Sequence, residues 1–178
     1  MTTMSEPGRL IIVRVTDPRL DAGAYPRTSP SHLFESSNQR GYNVPFYRVS
    51  EFPKRRMAGP PVERLAQMIM APETTGYQHN SFFLATIPPG GAIPDHTHPE
   101  NDEIMYCVGR GEALVDEKRF PIAPDDVIFA SRGVVHGIWN TSDSELKLFC
   151  VFVPAIVDKR FDELAKMTND YLRAGPRS

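Results

Sequence analysis

The chain has 178 residues, enough for one domain with a substantial core that needs no disulfide. Its 20 Lys and Arg against 22 Asp and Glu leave a formal charge of -2, so it lacks the single-sign field expected of a nucleic-acid or membrane-surface protein. The opening MTTMSEPGRLIIVRV contains only a short apolar run, Leu10–Val13, far below the length of a signal core or a membrane span, and a cytoplasmic protein is expected.

Eight of the 17 prolines (7, 18, 26, 30, 45, 53, 60 and 61) precede residue 62. Each removes a backbone donor and fixes φ, which predicts an extended arm over residues 1–75 with short strands such as LIIVRV and VPFYRV. Within it Lys54, Arg55 and Arg56 read as a solvated basic run. Pro60–Pro61 before VERLAQMIM can open a short helix, and the same run can form a strand.

From Ser81 onward, short apolar runs alternate with turn signals. Strands are expected at SFFLATI (81–87), EIMYCV (103–108), EALVD (112–116), DVIFA (126–130), VVHGIWN (134–140) and ELKLFCVFV (145–153). PPGG, GRG, DEKR, APDD, SRG and TSDS separate them. Many short strands at near-regular spacing predict an all-β antiparallel sandwich or barrel over residues 76–156. Cys107 and Cys150 lie in apolar stretches and read as reduced core thiols. In the last segment, 157–178, Asp158 is placed to cap a helix over 159–173. Phe161, Leu164, Met167, Thr168 and Tyr171 share one face of that helix, which fits a brace on the sheet.

The chemistry concentrates in PDHTHPENDEIMY, residues 94–106, with two histidines and four acids. His96 and His98 are two apart, so in an extended segment both imidazoles leave one face and can chelate. Pro99 directly after them argues against a helix. A third histidine, His136, sits in another apolar run, SRGVVHGIWN. There are only five histidines in all (32, 79, 96, 98 and 136).

These two segments together resemble the paired motifs of the cupin superfamily. Gly90, His96, His98 and Glu103 follow the spacing of the first, with Gly109 and Gly111 near its end. Gly133, His136 and Asn140 follow the second, while Asp125 stands where that motif has glycine and Ser131 where it has proline. The resemblance spans about residues 81–153. It implies a double-stranded β-helix, or jelly-roll barrel, carrying an extended N-terminal arm and a C-terminal helix. It also implies one divalent metal ion per chain (Fe, Mn, Ni, Cu or Zn) held by His96, His98, Glu103 and His136.

Strand alternation then sorts the acids. In a strand starting at residue 103, Glu103, Met105 and Cys107 share one face and Ile104, Tyr106 and Val108 the other. A carboxylate among apolar neighbours is costly unless a charge pairs with it, and a dication supplies that charge. Asp95, Glu100 and Asp102 belong to the connecting turn, with Glu100 the second choice as ligand. The same alternation around His136 turns Val134 and Ile138 inward. The substrate pocket is therefore expected to be lined by Met105, Cys107, Val134 and Ile138, with His79 at its border. The expected function is a metal-dependent enzyme on a small organic molecule, foremost an oxidoreductase of dioxygenase type in which Glu103 also moves a proton. A non-redox lyase, decarboxylase or isomerase and a non-catalytic ligand-binding cupin are the alternatives. No nucleic-acid or membrane partner is expected. A homodimer is, because arm strands leave open edges to be paired.

Overall fold

The computed structural model describes residues 13–14 and 47–174; His32 and most of the arm, including much of LIIVRV and the start of VPFYRV, lie outside the described residues. In chain order the strands are β1 (Val13–Arg14), β2 (Arg55–Ala58), β3 (Arg64–Met70), β4 (Ser81–Ile87), β5 (Ala92–His96), β6 (Asp102–Val108) and β7 (Gly111–Val115). They continue as β8 (Lys118–Ile122), β9 (Asp126–Ala130), β10 (His136–Trp139) and β11 (Leu146–Val153). A short helix α1 (Pro72–Thr75) follows β3, and α2 (Asp162–Ala174) closes the described chain. The strands form a seven-stranded sheet, β1-β9-β6-β11-β4-β3-β2, and a four-stranded sheet, β5-β10-β7-β8.

Period-two alternation produces the core. All eight residues of β11 alternate, with Leu146, Leu148, Cys150 and Phe152 buried. Antiparallel register sets Leu148 opposite Cys107, Cys150 opposite Met105 and Phe152 opposite Glu103 on β6. Ala113, Val115 and Ile138 from the smaller sheet join the same cluster, so the two sheets pack face to face. Complete burial of a leucine such as Leu146 or Leu148 contributes about 1.5–3 kcal/mol, and the sum over both inner faces closes the barrel. Both cysteines are free and buried, as their apolar surroundings predicted.

Most expected strands are present within two residues of their predicted ends. VERLAQMIM resolves as strand β3, not helix. Its Ala66 and Met68 lie opposite Ala85 and Phe83 of β4, and a helix there would leave the β4 edge without backbone partners. β5 and β8 were not expected as strands. Both are edge strands of the smaller sheet and both contain a proline, Pro94 and Pro121, tolerated there because one side of the strand needs no donor. Consequently DEKR is not all turn: Asp116 and Glu117, at φ 49° and 66°, form a two-residue hairpin between Val115 and Lys118. Asp125 adopts φ 74°, a left-handed backbone that aspartate tolerates better than most side chains. This accounts for aspartate where the second motif has glycine.

Asp158 caps as expected, accepting the Arg160 backbone N–H at 2.8 Å, but it opens a 3-10 turn at Lys159–Phe161 before α2 begins. α2 buries Leu164, Ala165 and Thr168, and the Thr168 hydroxyl donates to the Met68 carbonyl at 3.1 Å. The helix thus braces β3 and, through it, one wall of the barrel. No helix among the described residues is long and apolar enough to cross a membrane. Leu164→Ala should lower the unfolding free energy by about 2–5 kcal/mol in urea titration, since it empties a fully buried site. Val157→Ala, at a residue 77% exposed, should change it by less than about 0.5 kcal/mol.

Candidate metal centre

Four side chains from separate parts of the chain meet at one end of the barrel. His96 ends β5, His98 follows it in the loop, Glu103 sits on the inner face of β6 and His136 opens β10. His136 pairs with His96 across the β10–β5 ladder, so both imidazoles are set by backbone register. One potential ligand atom from each of the four residues lies within 4.8 Å of all the others. Glu103, His98 and His136 are buried and His96 is half-buried. Glu103, Met105 and Cys107 are 4%, 1% and 0% exposed while Tyr106 is 40% exposed, the alternation anticipated from sequence.

The hydrogen bonds orient the imidazoles. Nδ1 of His96 is 2.8 Å from the Pro94 carbonyl and Nδ1 of His136 is 2.9 Å from that of Val134. A carbonyl only accepts, so both Nδ1 atoms carry the proton and both Nε2 atoms face the cluster. His96 Nε2 is 3.1 Å from His98 Nε2, and Glu103 Oε2 is 2.9 Å from His136 Nε2 and 3.3 Å from His98 Nε2. A neutral His136 would set its lone pair against the carboxylate, so the contact calls for a proton or a cation between them.

The titration directions express the same demand. Burial would raise the Glu103 carboxyl, but hydrogen bonds and charge from His136 and His98 overcome it and hold the group well below the usual carboxylate range. Burial would lower His136, yet its bond to Glu103 leaves it raised. His96 is pushed down to about 4, first by burial and then by the neighbouring His136.

This donor set fits a divalent cation. Donors at about 2.1 Å from one ion stand about 3.0 Å apart at adjacent octahedral positions, close to the 2.9–3.3 Å separations seen here. Three imidazole nitrogens and one carboxylate oxygen suit Fe, Mn, Ni, Cu or Zn without selecting among them. Of the remaining acids, Glu100 is exposed and outside the cluster. Asp102 accepts the Arg132 backbone N–H at 2.9 Å, which holds its carboxyl below the ordinary value.

A cavity of about 320 Å³ opens directly beside the cluster, touching His96, His98 and Glu103. Its apolar wall includes Val62, Ala66, Phe83, Ile93 and Phe161, and its polar rim includes Arg64, Asp95 and Arg160. The pocket residues expected from sequence are elsewhere. Met105, Cys107 and Ile138 point inward but are packed into the solid core, and Val134 packs against that core from its side. His79 is exposed, edge-on to Tyr77 with ring centroids 5.4 Å apart. Alternation specified the face of each strand, whereas depth along the barrel decided which inward residues meet the cavity. The lining from β3 was not expected, because by its sequence VERLAQMIM can form helix or strand; the signal was the alternating Arg64, Ala66 and Met68.

Asn140 holds the turn after β10. Its amide donates to the Ile87 and Ser144 carbonyls at 2.8 and 2.7 Å, and its Oδ1 accepts from the Ser142 backbone N–H and hydroxyl. It therefore fastens the end of β10 opposite His136 and lies outside the cluster.

Residues 83–152 match the cupin domain family. The chain is 31% identical over 81 residues to the polyketide synthase CurC of Streptomyces cyaneus, a match covering 45% of this chain and 53% of that protein. It is 33% identical over 73 residues to an oxalate-binding protein of Thermotoga maritima, covering 40% and 60% respectively. The chain thus spans little more than half the length of these curated relatives. Among solved structures it resembles a predicted oxalate decarboxylase from Thermotoga maritima, with TM-score 0.56, 26% identity and coverage of 61% of this chain and 98% of that one. A double-stranded β-helix protein from Klebsiella pneumoniae shares the fold at TM-score 0.53 and 17% identity, over 65% and 94% of the two chains.

Asn140→Leu should cost about 2 kcal/mol or more in chemical denaturation, because it strands several buried polar groups. Ser142→Ala, which removes one partly exposed hydroxyl, should cost less than half as much.

Proposed function

Since the chain is a member of the cupin superfamily, we propose that it is a metal-dependent enzyme acting on a small organic molecule in the cavity beside His96, His98, Glu103 and His136. The single observation carrying this reading is the convergence of those four donors within 4.8 Å at the wall of a 320 Å³ cavity. Three imidazoles and the Glu103 carboxylate would hold one divalent ion per chain. Such an ion supplies Lewis-acid polarisation of a substrate oxygen and, if redox-active, dioxygen chemistry.

The chain's own groups do the rest. Among the described residues Glu103 is the carboxylate that both lines the cavity and faces the imidazoles, which makes it the group placed to take a proton from a substrate held there. His96 and His136 keep their Nδ1 protons on backbone carbonyls, fixing ring tautomer and orientation. The apolar wall from Val62 to Phe161 orients the substrate body and thins the water around the reacting end.

Within this class an oxidoreductase of dioxygenase type is the preferred reading. The likeness to proteins described as an oxalate decarboxylase and an oxalate-binding protein favours a second one, a non-redox lyase, decarboxylase or isomerase at the same site. His96→Ala and His136→Ala are expected to lose the ion by elemental analysis of protein purified without added metal. Near-stoichiometric metal in both variants would defeat the assignment. Turnover that stops under strict anaerobiosis supports oxygen chemistry, and full-rate anaerobic turnover supports the non-redox reading.

The homodimer stays a proposal, supported by two apolar rows on the outer face of the seven-stranded sheet. There Phe82, Val151, Ile104 and Phe129 form one cross-strand row and Leu84, Phe149, Tyr106 and Val127 the next. Light scattering should return twice the 20.0 kDa chain mass, and a monomer would reject it.

A further inference from the structure

The cavity has two chemically distinct ends. One is the histidine and glutamate cluster. The other comes from β3, where Arg64 shares the inward parity of Ala66 and Met68 and so reaches the cavity from the barrel side, not from the surface. Arg64 is half-buried and makes no ion pair with any carboxylate among the described residues. Other arginines nearby are matched. Arg55 pairs with Glu163 at 2.7 Å, Arg56 with Glu63 at 2.9 Å, and Arg160 forks onto Asp158 through Nε at 2.8 Å and Nη2 at 2.6 Å.

An arginine left without an acid inside a cavity is unusual, because a part-buried charge is costly unless paired. Burial depresses the Arg64 guanidinium, and the like charge of Arg160 adds to it. Neither acid on the cavity wall relieves it: Glu103 is taken by His136 and His98, and Asp95 forms no pair with Arg64. A guanidinium presents a planar fork of donors that matches a carboxylate with two parallel hydrogen bonds. Between the ends lies the apolar wall, and 320 Å³ is about ten water volumes, room for roughly ten non-hydrogen atoms.

We propose that the cavity takes a small organic acid with an apolar body, its carboxylate held by Arg64 and its far end directed to the histidine cluster. This deepens the function proposed above and rests on it only for what happens at that far end. Arg64 is then the residue that selects anions over neutral molecules of the same shape.

The test uses hexanoate, benzoate, 3-phenylpropanoate and 4-hydroxyphenylacetate with their primary amides. Each is titrated calorimetrically into the full chain as purified, with metal content measured on the same sample. At least one acid should bind about tenfold or more tighter than its amide, the scale of a charge-assisted pair lost from a partly buried site. Arg64→Gln should erase that preference and leave metal content unchanged, and Arg64→Lys should keep part of it. Arg56→Gln, at an exposed arginine off the cavity, should leave it intact. The proposal is overturned if no acid binds below about 10 mM, if amides bind equally well, or if Arg64→Gln behaves as the parent or Arg56→Gln matches its loss. Arg64-dependent acid binding in a parent free of metal would refute the metal reading and leave this one standing. Normal metal content without acid preference would do the reverse.

Discussion

A carboxylate placed on the inner face of a β-barrel is the constraint around which this molecule is organised. Glu103 occupies a position that alternation reserves for core residues, in line with Met105 and Cys107, and is 4% exposed. An ion there is tolerable only with compensating charge and hydrogen bonds, which His98 and His136 direct at one of its oxygens. Glu103 belongs to the larger sheet, while His96 and His136 belong to the smaller one. The charge is therefore matched only when the two sheets have closed on each other. Assembly of the core and assembly of the four-residue cluster are the same event, which would couple binding of the proposed ion to folding.

The remaining architecture serves that end of the barrel. α2 braces β3, and β3 carries Arg64 and Ala66 into the cavity wall, while Asn140 fastens the opposite end of β10. A solid core of Met105, Cys107, Ile128 and Leu148 lies on the inner faces, and the cavity lies beside the cluster. The fold sets the position of this cavity, and under the proposals above its two ends would select the molecule it takes.

Much of this was legible in one dimension because strand alternation and ligand spacing are local properties. The six runs expected as strands from residue 81 onward became strands, and the H-x-H pair, the glutamate five residues on and the distant His136 converge as the family resemblance implied. What escaped were elements whose local signal is weak by nature. β5 and β8 are short, proline-containing edges, and β3 reads as helix or strand until β4 supplies a partner. That the expected pocket residues do not line this cavity has a related reason. Alternation tells which way Met105, Cys107 and Ile138 point, but not how far down the barrel they sit.

The sequence by itself determined the class of fold and the inward face of the strands expected from residue 81 onward, since these depend on residue type and spacing along a segment, while the grouping of His96, His98 and Glu103 with the distant His136 came from the resemblance of two separate motifs. Tertiary structure alone decided which inward residues border open space, that β3 contributes a wall of the site, and that Arg64 is left without an acidic partner among the described residues. Those are properties of packing between segments distant in the chain, where register, depth and the nearest opposite charge exist only after the sheets have met.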